Sequence, residues 1–346
     1  MKKFLRRLTV TTVVLAAAAF VGVAGWSSER LLHPDRRQLQ DYHREILSKP
    51  GSFGLQVTHY TGPAGTPCLM VTPTSRPGLS PKGRLVRDIL VRRGVPLAPQ
   101  GEIRGTIVLL HGFCGRKEDN LPIAERLCAA GFRCILPDLP GHGDNPAGSA
   151  TFGLHESQLP EQLLEDAARR FAFAPAPAAL FGISQGGAIA LQAAARPGNR
   201  WTAVASVSAF ASLDQPVSNI ANRLTPQMAM ITPMTSGACA CGVRCREGFY
   251  PSDIRPVEAA SRIHIPAFII HGDRDDFIPI ASGRAIYDAI PDSRKTFLAV
   301  KGANHGDVLS SGSHELYADI CRFYLEAAGP ALLVDGKSGA KTVRRR

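Results

Sequence analysis

The stretch that decides the fold is AALFGISQGGAIALQAAA, residues 178–195. Its first residues form a short apolar run typical of a buried strand, and its last residues are Ala-rich and typical of a helix. Between them lies G-x-S-x-G, with Ser184 between Gly182 and Gly186. A serine on a sharp strand-to-helix turn projects out of the sheet, and the glycines allow so tight a bend. Ser184 is therefore predicted to be an exposed nucleophile.

Strands and helices alternate on both sides of this turn. Short apolar runs at 106–110, 132–137, 178–181, 203–207, 267–270 and 296–300 read as strands, and helical spacing fills most of the intervals. This alternation predicts βαβ units and a parallel sheet covered on both faces. Functional residues are then expected where the strands end. An antiparallel hairpin over 53–60 and 68–72 is expected to come first.

A serine hydroxyl needs a base to remove its proton, and the base needs an acid to orient it. His305 directly follows the last predicted strand, in the sequence GANHG. Asp273, Asp275 and Asp276 all follow the strand before it, and their spacing alone does not separate them.

The oxyanion formed during acyl transfer needs two backbone N–H donors. Gln185 supplies the first candidate because it follows the nucleophile at the start of a helix, where N–H groups and the helix dipole favour negative charge. Phe113 supplies the second, in the glycine-containing bend HGFCG that follows the strand TIVLL.

Five motifs together resemble the α/β-hydrolase superfamily over residues 103–327: HGFCG, PDLPGHGD, GISQGG, HGDRDDFIP and GANHGD. The resemblance implies an α/β fold with a mostly parallel sheet, helices on both faces and a small cap insertion. It also implies a catalytic triad of Ser184, Asp275 and His305, because the family pattern H-G-x-x-D-x-x-V/I-P selects Asp275. The element LLHPDR, residues 31–36, is similar to the leader of membrane-anchored serine aminopeptidase-like or Bem46-like bacterial hydrolases.

The N-terminus is predicted to be an export signal. Four basic residues lie within the first seven positions, and an uncharged, mostly apolar stretch follows over 8–25. A basic segment before an apolar run predicts transfer of the remaining chain across the cytoplasmic membrane. The stretch is long enough to span a bilayer, so a membrane anchor and a cleaved signal both remain open.

The predicted organisation has six parts. They are the signal or anchor at 1–26, an N-terminal extension with a hairpin and a basic insertion at 27–102, the first half of the hydrolase core at 103–210, a cap at 211–258, the second half at 259–327 and a basic tail at 328–346. Within the cap, Met228, Met230 and Met234 are candidate substrate-binding residues because flexible thioethers can line an adaptable apolar pocket. Packing of the cap against the core is the alternative role for these side chains.

The net charge of +11 lies in three segments outside the predicted catalytic body. The first ten residues, the last sixteen and residues 76–104 together hold +13, which leaves −2 for the rest. Nucleic-acid binding is therefore not expected, since it usually requires positive charge on the folded core. Cys239, Cys241 and Cys245 lack the usual zinc spacing, so we expect no metal there, and in an exported protein a disulfide involving them.

The sequence thus predicts a serine hydrolase that cleaves a carboxylic ester or thioester without a cofactor. The expected partner is a small-molecule acyl substrate, and the oligomeric state is left open. An amidase or aminopeptidase acting on small peptides, an acyltransferase with the same triad and a non-catalytic binding protein on the same fold remain alternatives.

Overall fold

The computed structural model describes residues 2–75, 78–224 and 231–329. Eight strands form one sheet in the order β1-β2-β4-β3-β5-β6-β7-β8. Only the pairs β1–β2 and β2–β4 are antiparallel, and the other neighbours are parallel. The strands are β1 (Leu55–Thr61), β2 (Pro67–Pro73), β3 (Gly105–Leu110), β4 (Phe132–Pro137), β5 (Ala178–Ile183), β6 (Ala203–Val207), β7 (Ala267–Gly272) and β8 (Thr296–Val300).

Helices cover this sheet, connect its strands and extend from it. Within the described residues they are α1 (Lys2–Leu32), α2 (Asp41–Ser48), α3 (Pro81–Arg92), α4 (Leu121–Ala129), α5 (Leu159–Arg170), α6 (Gln185–Ala194), α7 (Asp214–Leu224), α8 (Thr232–Glu247), α9 (Pro256–Ala260), α10 (Ile280–Ala289), α11 (Val308–Ser311) and α12 (Ser313–Ala328).

Both faces of the sheet are buried, which explains why its central strands are apolar throughout. Along β3, Ile107 and Leu109 belong to one hydrophobic cluster, while Val108 and Leu110 belong to another. Successive side chains of a strand point to opposite faces, so the two clusters are the two layers between sheet and helices. The α/β-hydrolase fold predicted from the sequence is confirmed.

The predicted hairpin forms, and it belongs to the main sheet. Strand β1 pairs with β2, and β2 pairs in turn with β4 through a register that opposes Cys68 to Pro137. The basic segment that follows contains α3, whose Val86 and Leu90 are fully buried. Arg87 donates hydrogen bonds from this helix to the carbonyl oxygens of Ala129 and Ala98. Residues 53–75 and 78–98 therefore contribute to the sheet edge and to the core.

Helix α1 is the one helix in the described ranges that is long and apolar enough to cross a membrane. Its residues 2–22 are exposed. One face of its C-terminal end is buried, with Ser28 and Leu32 fully enclosed and Leu31 7% exposed. The same helix therefore combines an unpartnered apolar segment with a docked end.

The docked end of α1 packs against α8. A Cβ added to Gly242 would lie 2.3 Å from the carbonyl oxygen of Ala24 and 2.6 Å from Oγ of Ser28. Arg246 forms an ion pair with Glu29 at 2.6 Å. The absence of a side chain at residue 242 thus lets the two helices approach closely.

The cysteine cluster lies in a helix. Cys239, Cys241 and Cys245 belong to α8, which has Pro233 in its first turn, a position where proline is favoured. All eight cysteines are described and all are free, so the expected disulfide is absent. Cys239 is buried, while Cys241 and Cys245 are exposed.

We predict that Gly242→Ala lowers the free energy of unfolding by about 1–3 kcal/mol, because the added methyl group overpacks the contact with α1. Gly237→Ala is the matched control on the same helix, since a Cβ there meets no atom within 4 Å. The control should be neutral or stabilise by up to about 1 kcal/mol. Urea denaturation of the detergent-solubilised full chain measures both, and equal stability of the two variants would contradict the helix contact.

Candidate active site

Ser184 lies on a strained turn between β5 and α6. Its φ of 52° and ψ of −116° are a combination that side chains other than glycine rarely adopt. Its N–H donates to the carbonyl oxygen of Val207 at 2.7 Å, which ties the turn to the end of β6. A Cβ on Gly182 would lie 2.1 Å from the carbonyl oxygen of Gly186, and a Cβ on Gly186 would lie 2.2 Å from that of Leu110. Both flanking glycines are therefore sterically required.

Three side chains from three strand ends meet at this turn. Nε2 of His305 lies 3.0 Å from Oγ of Ser184. Nδ1 of the same ring lies 2.7 Å from Oδ2 of Asp275. The structure thus brings together Ser184 after β5, Asp275 after β7 and His305 after β8, the residues expected from the family pattern.

The carboxylate of Asp275 is held in its charged form. Burial alone would raise its pKa, but the neighbouring side chains of His271 and His305 outweigh the burial and lower the pKa well below the ordinary value. Its Oδ1 also accepts hydrogen bonds from the backbone N–H groups of Phe277 and Ile278, at 3.0 and 2.7 Å. An ionised acid fixed in this way can orient His305 and stabilise a positive charge on the ring.

The two competing aspartates have other partners. Asp273 accepts a hydrogen bond from the backbone N–H of Gly302 at 2.6 Å. Asp276 forms an ion pair with Arg223 of α7 at 2.7 Å. The tertiary contacts therefore distinguish Asp275 from Asp273 and Asp276, which sequence spacing alone did not.

Two backbone N–H groups near Ser184 have no acceptor among the described residues. Gln185 is the first residue of α6, so the helix offers its N–H no acceptor. The N–H of Phe113 likewise appears in none of the hydrogen bonds of the described loops. The bend that carries Phe113 is closed by a hydrogen bond from the N–H of Gly115 to the carbonyl oxygen of Gly112, with Cys114 at φ 57°.

Buried polar groups hold this bend against the loop after β4. His111 accepts a hydrogen bond from the N–H of Leu139 at 3.0 Å, and burial lowers the pKa of His111 to about 4. The ammonium group of Lys117, 5% exposed, lies 2.7 Å from carboxylates of both Asp138 and Asp144. These contacts fix the position of Phe113 relative to the nucleophile.

A comparison with protein families matches residues 105–233 to the model described as the alpha/beta hydrolase fold. This region contains the strand before Phe113, the turn at Ser184 and the helix behind it. The matched part of the chain is similar to the α/β-hydrolase superfamily, and the sheet order of the structure agrees with that fold. The match is at superfamily level, so the resemblance to serine aminopeptidase-like or Bem46-like enzymes stays a prediction.

The proteins that this chain resembles are distant from it in sequence. An uncharacterized 31.7 kDa protein from the traX-finO intergenic region of Escherichia coli is 25% identical over 282 residues, covering 68% of this chain and 96% of the relative. An esterase from Pyrococcus furiosus has a TM-score of 0.61 at 13% identity, over 85% of this chain and 98% of the esterase. A putative lipase from Acinetobacter baumannii has a TM-score of 0.53 at 15% identity, over 85% and 98% of the two chains.

An apolar pocket opens beside Ser184. Apolar side chains from the cap, the core loops and α1 line it. They are Leu31, Phe113, Phe152, Phe210, Leu213, Pro216, Val217, Ile220, Phe277 and Ile278. Such a lining suits a hydrocarbon chain.

Of the three methionines predicted for this pocket, only Met234 lies within the described residues. Met228 and Met230 lie outside the described residues. Met234 lies in the first turn of α8, where it is 59% exposed, and it is not among the pocket's described lining residues. Aromatic side chains close to the strand ends supply much of the lining instead.

Sequence reasoning missed Phe210 and Leu31. Phe210 comes three residues after the end of β6, so the rule that sites lie at strand ends could have found it. Leu31 carried no such signal, since it lies in the leader, 153 positions before the nucleophile.

No cluster of three or more potential metal ligands occurs among the described residues.

Burial of neutral His111 predicts a loss of stability in acid. The unfolded histidine has an ordinary pKa of about 6.5, so between pH 6.5 and 4 the unfolded chain binds more protons than the folded one. The free energy of unfolding therefore falls as the pH decreases through this window. The loss reaches roughly 3 kcal/mol once the pH lies below both pKa values.

Urea denaturation at pH 7.0, 5.5 and 4.5 measures this loss in the wild type and in His111→Gln, which should be less stable at pH 7 and less sensitive to acid. His59→Gln, at an exposed position on β1, is the control and should keep the wild-type slope. An unaltered slope in His111→Gln would show that acid acts through other groups.

Proposed function

We propose that this protein is a serine hydrolase that cleaves carboxylic esters through an acyl-enzyme intermediate. The observation that carries the proposal is the continuous hydrogen-bonded chain from Ser184 through His305 to Asp275, with contacts of 3.0 and 2.7 Å. The two available N–H groups of Phe113 and Gln185 support it further, as does the match of residues 105–233 to the α/β-hydrolase fold.

In the first step Oγ of Ser184 attacks the ester carbonyl carbon while Nε2 of His305 takes the hydroxyl proton. The carbonyl oxygen becomes an oxyanion and is stabilised by the N–H groups of Phe113 and Gln185. The charged carboxylate of Asp275 stabilises the imidazolium that forms. When the tetrahedral intermediate collapses, the ester C–O bond breaks and the alcohol leaves with the proton from His305.

In the second step water replaces the alcohol. Nε2 of His305 takes a proton from the water as the water oxygen attacks the acyl carbon. Collapse of this second intermediate breaks the bond to Oγ of Ser184, which recovers its proton, and releases the carboxylic acid. The net reaction consumes one ester and one water and yields one acid and one alcohol.

The character of the pocket favours an acyl ester or thioester over a peptide. Its described lining residues are apolar apart from Ser184. A peptide amino terminus is charged and loses favourable hydration in such a pocket, whereas an acyl chain gains from burial there.

We also propose that the protein is exported and stays attached to the membrane through α1. The exposed apolar stretch of this helix supports a membrane location. Ser28 and Leu32 are fully buried in the folded domain, and Ala24 contacts Gly242 of α8. Cleavage after Ala24 would remove part of this interface, so retention of the leader fits the packing better than its removal.

Replacement of the nucleophile tests the proposed chemistry. Ser184→Ala should lower ester hydrolysis by about 10⁶-fold, because no other group can form the acyl intermediate. Asp275→Asn should lower kcat by about 10⁴-fold while leaving the fold intact, because the base loses its orienting charge. Hydrolysis of 4-methylumbelliferyl butyrate measures both effects.

A fluorophosphonate probe provides the control for folding and reactivity. The wild type and Ser261→Ala, which alters an exposed serine outside the triad, should both be labelled, and Ser184→Ala should not. Absence of labelling in all three proteins would contradict the proposal and favour a binding protein on this fold.

A further inference from the structure

The same helix carries an apolar membrane-type segment and one wall of the candidate active-site pocket. Residues 2–22 of α1 are exposed, and the segment includes large apolar side chains such as Leu15 and Val21, 64% and 68% exposed. At the other end of the helix, Leu31 lines the pocket beside Ser184. No break separates the two parts, since α1 runs continuously from Lys2 to Leu32.

The position of the bilayer along α1 follows from its charges and its tryptophan. Arg7 is the last charged residue before the apolar stretch, and Glu29 is the first one after it. Trp26 is 55% exposed near the second boundary, with the guanidinium group of Arg30 6.0 Å from its ring. Tryptophan is enriched at membrane–water interfaces. From Arg7 to Trp26 the helix rises about 28 Å, close to the thickness of a hydrocarbon core.

The docked end of α1 is held to the folded domain on several sides. Arg246 of α8 pairs with Glu29. The carbonyl oxygen of Leu32 accepts a hydrogen bond from the N–H of Ala150 at 2.8 Å. Beyond the helix, Arg36 donates to the carbonyl oxygens of Gly143 and Asn145, both at 2.9 Å. The helix and the pocket are therefore parts of one packed unit, and the bilayer has a defined height relative to Ser184.

Leu31 lies five residues beyond Trp26, which corresponds to about 8 Å along the helix axis. We propose that the substrate is an acyl ester of a membrane lipid, taken from the bilayer that holds α1, and that Leu31 helps to set which acyl chains fit. This inference rests on the proposed ester hydrolase activity and adds its substrate class. A long acyl chain passes over this short distance from one apolar environment to another, so little of it meets water.

The test uses the full-length protein in vesicles of ether-linked phosphatidylcholine, whose own chains carry no ester. 4-Methylumbelliferyl oleate is placed either in the protein-bearing vesicles or in separate protein-free vesicles added to them. We expect release of the fluorophore to be at least tenfold faster when ester and protein share a bilayer. Equal rates in the two arrangements would overturn the proposal.

Variants separate a role of Leu31 from simple attachment to the membrane. Leu31→Trp places a larger side chain in the pocket wall and narrows the pocket. It should lower the ratio of oleate to butyrate hydrolysis at least tenfold. Val21→Trp is the matched control on the exposed face of the same helix and should preserve both rates. Labelling by the fluorophosphonate probe shows whether Leu31→Trp is folded.

A second variant covers the case in which the tryptophan prevents folding. Leu31→Ala widens the same wall and should move the preferred acyl chain to a greater length in a series from butyrate to oleate. An unchanged chain-length profile in every labelled variant would contradict the role of Leu31. Failure of the wild type to hydrolyse butyrate in water would instead refute the ester hydrolase activity itself.

Discussion

The close approach of backbone to backbone around Ser184 is the constraint on which the site depends. A Cβ at Gly182 would meet the backbone of Gly186, and one at Gly186 would meet the backbone of Leu110 at the end of β3. Strand β5, helix α6 and strand β3 therefore pack with no space between them. This packing holds Ser184 in an unfavourable conformation, and the surrounding sheet supplies the free energy that maintains it. The same packing orients the start of α6 toward the nucleophile.

Charge and hydrogen bonding extend this rigidity from the turn to the neighbouring loops. Two backbone N–H groups hold one carboxylate oxygen of Asp275, and the other oxygen contacts His305. The buried ion pair of Lys117 and Asp138 connects the bend carrying Phe113 to the loop after β4. Buried charges are costly unless they are paired, so these loops have few alternative arrangements. A preorganised site of this kind stabilises developing charge without rearranging during the reaction.

Helix α1 gives the fold its distinctive feature. In a soluble enzyme an apolar leader is separable from the catalytic domain, but here the leader ends within the hydrophobic cluster that includes Leu31, Phe152 and Phe210. The cap helix α8 lacks a side chain at Gly242 where α1 passes closest. The apolar segment of α1 and the wall of the pocket are thereby parts of one helix, and a change in the packing of α1 on α8 is expected to alter the wall beside Ser184.

The sequence by itself determined the fold class, because alternating apolar runs and glycine-bounded turns have local causes. It also named Ser184 and His305 as candidates, since each follows a predicted strand in a recognisable motif. The family pattern was needed to choose Asp275 among the three aspartates. Only the tertiary structure shows that Asp273 and Asp276 bind other partners. The pocket lining was decided by tertiary structure alone. Leu31 and Phe210 meet across long sequence separations, and no local pattern encodes which distant apolar side chains will share a cavity.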